Sequence, residues 1–255
     1  MLNLARCRVA AQAAGIHGLG SVLVAALAAW AVFGIWYAYP YRELSGGREL
    51  FLLVVAVDVV CGPLLTLVLF SPQKPRKELW MDLGWVALIQ IAALGYGLWT
   101  VWQARPLYLV HEVDRYRVIS ALDVKAEELE ALPASLKPQF WAGPRTVSIR
   151  PPKDAEEHNL VLFEAATGGR DYGARPGFYI PYEGAAAMKS LLRAKPLSVF
   201  LQKQPGQQEA AQKLAREKGA DMAQWLYLPV VARQDWVAVL NQAGQIQGFL
   251  QGDGF

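Results

Sequence analysis

The sequence predicts a membrane protein: a three-helix transmembrane bundle followed by an α+β domain outside the bilayer. Three observations predict it. Long apolar runs fill the chain before residue 104, and none follows. Three of these runs reach the roughly 20 residues that a helix needs to cross a ~30 Å hydrocarbon core. After Arg105, short alternating and amphipathic stretches succeed one another between turn residues, as in a water-soluble mixed fold. The composition agrees, with 54% hydrophobic residues and nine Trp in 255 positions. The domains are therefore residues 1–104, transmembrane, and 105–255, extramembrane.

The first span covers about 16–37. A cleaved signal peptide is the competing reading, but this run exceeds the 7–15 residues of an h-region, and the Ala26-Leu27-Ala28 match lies inside it. The second span covers about 49–70 and the third about 80–102. Arg6 and Arg8 precede the first span, and Lys74, Arg76 and Lys77 crowd the linker between the second and third. The loop between the first two spans carries Arg42 and Arg48. Basic residues favour the cytoplasmic side, so the amino terminus and the 71–78 linker lie there. Three crossings then carry everything after Arg105 to the outside. Trp36, Tyr37, Trp99 and Trp102 are expected in the outer aromatic belt and Trp80 in the inner one.

Within the second span Asp58 is followed by Gly62 and Pro63. An acidic side chain inside a spanning helix costs about 2.5–3.5 kcal/mol on insertion scales and is tolerated where it faces a partner. At about 1.5 Å per residue, Asp58 lies roughly 13 Å below the outer end of its helix, and Gln90 roughly 15 Å above the inner end of the third. In a ~30 Å core the two fall within about one helical turn of each other in height. Gln90, Ala93 and Gly97 share one face, Asp58 and Gly62 another, and small residues let two backbones approach closely. The expectation is a tight hairpin with Asp58 bonded to Gln90 or to a backbone group freed by Pro63.

Three roles for Asp58 stay open: fastening the bundle, meeting a polar group on another membrane helix, or serving in an ion relay. A relay needs a chain of ionisable groups, and the spans add only His17 and Asp82, at inner ends. An aspartyl dyad is excluded, because its carboxylates must share a proton, whereas Asp82 and Asp58 lie about 3 Å and 18 Å above the inner end. Asp82 is read instead as a negative charge serving the first turn of its helix.

In the second domain, strands are expected at 107–112 and 116–121 as a hairpin, and at 145–150. Helices are expected at 125–132, 154–166, 184–194 and 207–219, a Gly-, Tyr- and Pro-rich loop at 168–181, and a three-strand meander over 225–231, 236–241 and 245–251. Counts of 18 basic and 17 acidic residues from Arg105 onward leave no electrostatic footprint for nucleic acid. Cys7 and Cys61 imply no disulfide framework. His111 and His158 have no second His or Cys at metal-ligand spacing, so no metal or cofactor is expected. Glu156-Glu157-His158 reads as a solvated helix face. Gly168-Gly169 lacks the GK[ST] of a phosphate loop, and no G-x-S-x-G elbow is present. The domain is expected to touch another macromolecule through strand edges or the 168–181 loop.

One set of residues is more specific. Trp36-Tyr37 through Pro40-Tyr41, Ser45-Gly46-Gly47, Leu50-Phe51, Val57-Asp58-Val59-Val60 and Gly62-Pro63-Leu64-Leu65-Thr66 form a series. It continues in Asp82-Leu83, Gln90, Ala92-Ala93-Leu94, Tyr96-Gly97 and Arg105-Pro106. The series resembles the type IV pilin accessory proteins, the TfpX/TfpZ family, over about 16–121; beyond that the likeness is one of layout. Trp36-Tyr37-Ala38-Tyr39-Pro40 departs from the WYP-type turn of that family. The resemblance implies a chaperone-like factor of the bacterial inner membrane with a cytoplasmic amino terminus and a periplasmic carboxy-terminal domain. It further implies a role in type IV pilus biogenesis with the major pilin as partner, other pilus assembly proteins as possible partners, and no reaction to catalyse. Asp58, Gly62, Pro63, Gln90 and Gly97 are then the candidate partner-binding residues. Other classes are a small transporter or channel subunit using Asp58, and a membrane-anchored periplasmic sensor, binding module or hydrolase.

Overall fold

The computed structural model describes residues 4–255, with side chains for 6–49 and 51–255, so the Leu50 half of the Leu50-Phe51 motif lies outside the described side chains. The chain divides into two compact units, residues 1–35 with 47–103 and residues 36–46 with 104–255.

From the amino end, α1 (Leu4–Ala31) closes in a π-helical turn (Val32–Trp36); α2 (Tyr41–Leu44), α3 (Gly47–Leu69) and α4 (Arg76–Gln103) follow. Among the described residues, three helices are long and apolar enough to cross a membrane: Arg6–Trp36, Gly47–Leu69 and Arg76–Gln103. All three begin earlier than the apolar runs expected at 16, 49 and 80, because hydropathy marks only apolar positions while a helix continues through polar turns until something stops it. One consequence corrects the reading of Asp82. Glu78 occupies the first turn of α4, and Asp82, in the second turn, accepts from Lys74 Nζ at 2.6 Å.

In the first unit α1 and α4 both pack along α3. On the α1 side, His17 Nδ1 lies 2.6 Å from Thr66 Oγ1. A Cβ placed on Gly18 would stand 3.4 Å from the Pro63 ring. Phe33 meets Phe51 edge to face, with centroids 5.0 Å apart.

The second unit is α+β. Its strands are β1 (Pro106–His111), β2 (Tyr116–Ser120), β3 (Arg145–Ile149), β4 (Tyr179–Pro181), β5 (Lys195–Pro196), β6 (Leu226–Val231), β7 (Trp236–Leu240) and β8 (Ile246–Gln251). Its longer helices are α5 (Ala126–Glu130), α6 (Ala155–Ala166), α7 (Ala185–Ser190), α8 (Leu197–Lys203) and α9 (Gln208–Lys218). Sheet order is β4-β3-β1-β2-β6-β7-β8, with β5 also on β6. The expected 107–112/116–121 hairpin and carboxy-terminal meander are both antiparallel pairs or runs. The sheet has two lobes joined by a short parallel contact, Tyr116↔Val230 and Arg117↔Val231. The same edge of β6 takes β5 earlier, at Tyr227 and Leu226.

Two expectations need correction. The loop expected at 168–181 ends as strand β4, paired with β3, and its Tyr179 is buried with its hydroxyl donating to Gly173 O at 2.7 Å. Residues 195–203, without an expected element, hold β5 and α8, whose Leu197, Phe200 and Leu201 are core.

The segment between the first two long helices belongs to this second unit. Tyr41 and Leu44 sit in the cluster of Leu109, Tyr116, Leu228, Val230 and Trp236. Leu44 O accepts from Arg233 N at 3.0 Å and from Gln234 N at 3.3 Å, so the segment holds the β6–β7 turn. Gly46 makes this approach possible: its φ is +69°, and a Cβ there would fall 2.5 Å from an Arg233 guanidinium nitrogen. Tyr37, expected in the outer aromatic belt, is buried in this unit instead, 1% exposed.

Candidate functional site

Asp58 and Gln90 meet. Gln90 Nε2 donates to the Asp58 carbonyl at 3.0 Å and approaches Asp58 Oδ1 at 3.5 Å. Of the two expected partners of Asp58, Gln90 is the one observed, through the Asp58 carbonyl and carboxylate together; the carbonyl that Pro63 leaves without a donor is that of Val59, one residue on. Gly62 makes room for this, since a Cβ there would lie 2.0 Å from Gln90 Nε2. Gly97 plays the same part further along, where a Cβ would lie 2.4 Å from Val54 Cγ1. Pro63 faces α1 at Gly18 instead of α4. Of the five candidate residues, four build the α3–α4 seam and the fifth builds the α1–α3 seam. Asp58 is only 8% exposed, so its carboxylate lies inside the unit. Gln90 Oε1 is buried and without a hydrogen-bond partner among the described residues.

The second unit has a cavity of about 660 Å³ where its two lobes part. Pairing of β2 with β6 stops at Arg117, so Val118–Ser120 have β1 on one side and this cavity on the other. Opposite stand Val231–Arg233, and the 168–181 loop contributes Gly169, Arg170, Asp171 and Ala174. Strand edge and loop, the two contact features expected from sequence, thus converge on one cleft. Ser45, from the segment between helices, lines it too, which sequence reasoning missed. Two of the cationic side chains are already engaged: Arg117 Nε donates to Glu112 at 2.9 Å, and Arg170 forks onto Glu128 at 2.7 Å. Burial raises the Glu112 pKa, and the Arg117 charge opposes that rise. Beside the strand backbone stand Val118 and Leu122 with the polar side chains of Ser45, Ser120, Asp123, Asp171 and Arg233, a mixed lining that suits an extended chain.

A Ser–His pair lies in the core. His111 is paired with Ser148 on β3 and Tyr116 on β2 across the sheet, and its Nδ1 lies 3.2 Å from Ser148 Oγ. Burial, aided by the Lys189 charge, pushes the His111 pKa down to about 4. Both residues are 3% exposed, so no substrate reaches them, and the pair serves the core. His158 Nδ1 lies 2.9 Å from the Tyr172 hydroxyl, and Arg150 holds Glu157 at 2.7 Å. Among the described residues no three His, Cys, Asp or Glu converge to hold a metal.

Three candidate membrane-spanning helices with a buried polar pair, followed by an α+β unit with an open strand edge, define the class. Comparison supplies the family. A family model, fimbrial assembly protein FimB, matches residues 5–46. The fimbrial assembly protein of serogroup I from Dichelobacter nodosus is 34% identical over 258 residues, 100% of this chain and 99% of the relative. The serogroup E1 protein of the same organism matches equally, at 34% identity over the same shares. That of serogroups C1 and C2 is 42% identical over 50% of this chain and 98% of its own length. No solved structure matches the chain. The chain belongs to the FimB family of fimbrial assembly proteins, the type IV pilin accessory proteins its sequence resembles.

Proposed function

We propose that the protein is an inner-membrane accessory factor of type IV pilus biogenesis that holds the major pilin at two levels. The family assignment supports the role in pilus biogenesis. The basic flanks Arg6, Arg8, Lys74, Arg76 and Lys77 support a cytoplasmic amino terminus. After three crossings the α+β unit, residues 105–255 together with the 36–46 segment, lies in the periplasm and meets the pilin head. Its cleft along Val118–Ser120 accepts an extended pilin segment by strand addition.

Inside the bilayer, Gln90 carries the proposal. Its Oε1 is a buried acceptor with no partner among the described residues, and in hydrocarbon an unsatisfied polar group costs several kcal/mol. A pilin stem is an apolar helix with an acidic residue. Protonated, that carboxyl donates to Gln90 Oε1 once the side chains over it move aside, while Asp58, Gly62 and Gly97 hold Gln90 and its helix in place and Pro63 packs α1 against α3. Photo-crosslinkers at positions 58 and 90 of the full chain, in cells making pilin, test this. Capture of pilin at 90 is expected, and Asp58→Ala that leaves protein level and piliation unchanged overturns it.

The 8% exposure of Asp58 favours a second reading, in which the pair only fastens α3 to α4. Gln90→Glu distinguishes them: it keeps the side-chain shape but alters the donor–acceptor pattern. A fastening role predicts loss of bundle stability in step with piliation. A holding role predicts piliation lost at near-normal protein level.

A further inference from the structure

The turn between α5 and β3 carries an exposed aromatic pair at its tip. Phe140 and Trp141 lie at the tip of a segment bounded by Pro138 and Pro144, and they are 48% and 75% exposed. Their rings meet edge to face, with centroids 4.6 Å apart. Below them, Leu132 and Leu136 are anchored in the core, so the tip is displayed by a rigid base. Lys137 and Arg145 flank it. Leaving so much ring surface in water forfeits the stabilisation that burying it would bring.

The neighbour of Phe140 tells what covers them. Its ring meets Trp36 at 6.0 Å between centroids, with the planes 86° apart. Trp36 is the residue at which the first apolar stretch ends. If that stretch crosses a bilayer, Trp36 stands at the level of the interface, where Trp and Tyr rings collect, with its own indole nitrogen buried in the unit. Phe140, in ring contact with it, is at the same height, and Trp141 projects from there. Flanking Lys and Arg suit a headgroup layer of anionic lipid.

We propose that the 137–145 turn is a membrane-interface anchor: Phe140 and Trp141 seat the α+β unit on the headgroup–acyl boundary of the leaflet where the first helix ends. This rests on the reading that the three helices cross a membrane.

The test uses the full chain carrying Cys7→Ser and Cys61→Ser, reconstituted in vesicles of phosphatidylethanolamine and phosphatidylglycerol. A nitroxide is attached at Ala142→Cys, beside the aromatic pair, at Leu192→Cys, which is 80% exposed in the same unit, or at Val57→Cys, 51% exposed on α3. Collision with oxygen relative to a water-soluble nickel complex rises with depth, so the expected order is 57 above 142 above 192. The ratio at 142 is expected clearly above that at 192, as for an interfacial position. It falls to the 192 value when Phe140→Ser and Trp141→Ser are added, while the thermal unfolding transition of the unit is retained and shows that the fold is intact. A label at 142 as wet as the one at 192, with 57 deep in the bilayer, overturns the anchor and leaves the spanning reading standing. A wet label at 57 overturns the spanning reading and the anchor with it.

Discussion

Leu44→Ala asks whether a residue between two candidate membrane helices stabilises the α+β unit. Leu44 is 0% exposed, among Leu109, Tyr116, Leu228, Val230 and Trp236. Buried Leu→Ala substitutions cost about 2–5 kcal/mol, the amount depending on how far the surroundings collapse into the space left. Here five neighbours are pinned in β1, β2, β6 and β7 by ladder hydrogen bonds, so collapse is small and the cost is about 3–4 kcal/mol. Leu44 O keeps its bonds to Arg233 N and Gln234 N, since alanine retains the backbone. At roughly 2–4 °C per kcal/mol for a unit of this size, the unfolding midpoint falls by about 6–16 °C. The assay is thermal unfolding of the full chain in detergent, followed by near-ultraviolet dichroism, with Trp236 as the reporter inside the affected cluster. Leu52→Ala, 52% exposed on α3, is the control and shifts this transition by under about 0.5 kcal/mol. A Leu44→Ala transition within about 1 °C of the parent, at the precision such midpoints allow, refutes the reasoning and returns residues 36–46 to the status of a connector.

Lowering pH tests His111. Its folded pKa of about 4 is below the ordinary 6.5, so between those values the unfolded chain binds more protons. Stability from this group is complete above pH 6.5 and is lost as pH falls from 6.5 toward 4, by up to about 3 kcal/mol. His111→Phe should remove that slope from urea unfolding curves; an unaltered slope assigns it to other groups. Gly62→Ala forces Gln90 off the Asp58 carbonyl, and interhelical hydrogen bonds in membranes are worth about 0.6–1.7 kcal/mol. The detergent-solubilised bundle should therefore melt lower than with Gly95→Ala, where a Cβ meets nothing within 4 Å, and equal melting counts against the seam. Inserting a Pro at Val118 blocks one ladder position without touching the helices; pilin crosslinking from the cleft should drop while crosslinking from position 90 persists, and undiminished capture rules out strand addition there.

Legibility in the sequence tracked how local the cause was. The three apolar stretches, the β1–β2 hairpin around Val113-Asp114-Arg115 and the terminal meander are written in spacing of two or in runs of about twenty, and all were readable. The meeting of Asp58 with Gln90 was readable too, because helical rise converts residue number directly into height. Asp82 was misplaced because a helix start is set by capping and the Lys74 contact rather than by apolarity. The 195–203 stretch escaped notice because Leu197, Phe200 and Leu201 form no long periodic pattern on their own and become core only once β6 and β7 lie beneath them. Nothing local marks Ser45 as a lining of the cleft, since its position depends on Leu44 seating in a core built more than sixty residues later.

Hydropathy and composition, by themselves, determined that the chain pairs an apolar helical part with a mixed-sheet part, and which polar residues match in height along neighbouring helices. They do so because helix rise and side-chain polarity act residue by residue. Tertiary structure alone decided that residues 36–46 belong with the sheet and that the sheet parts at Arg117 and Val231 to leave a strand edge open. It alone set Phe140 against Trp36. Those outcomes depend on which distant surfaces bury each other best, a property of pairs of segments that no window along one segment contains.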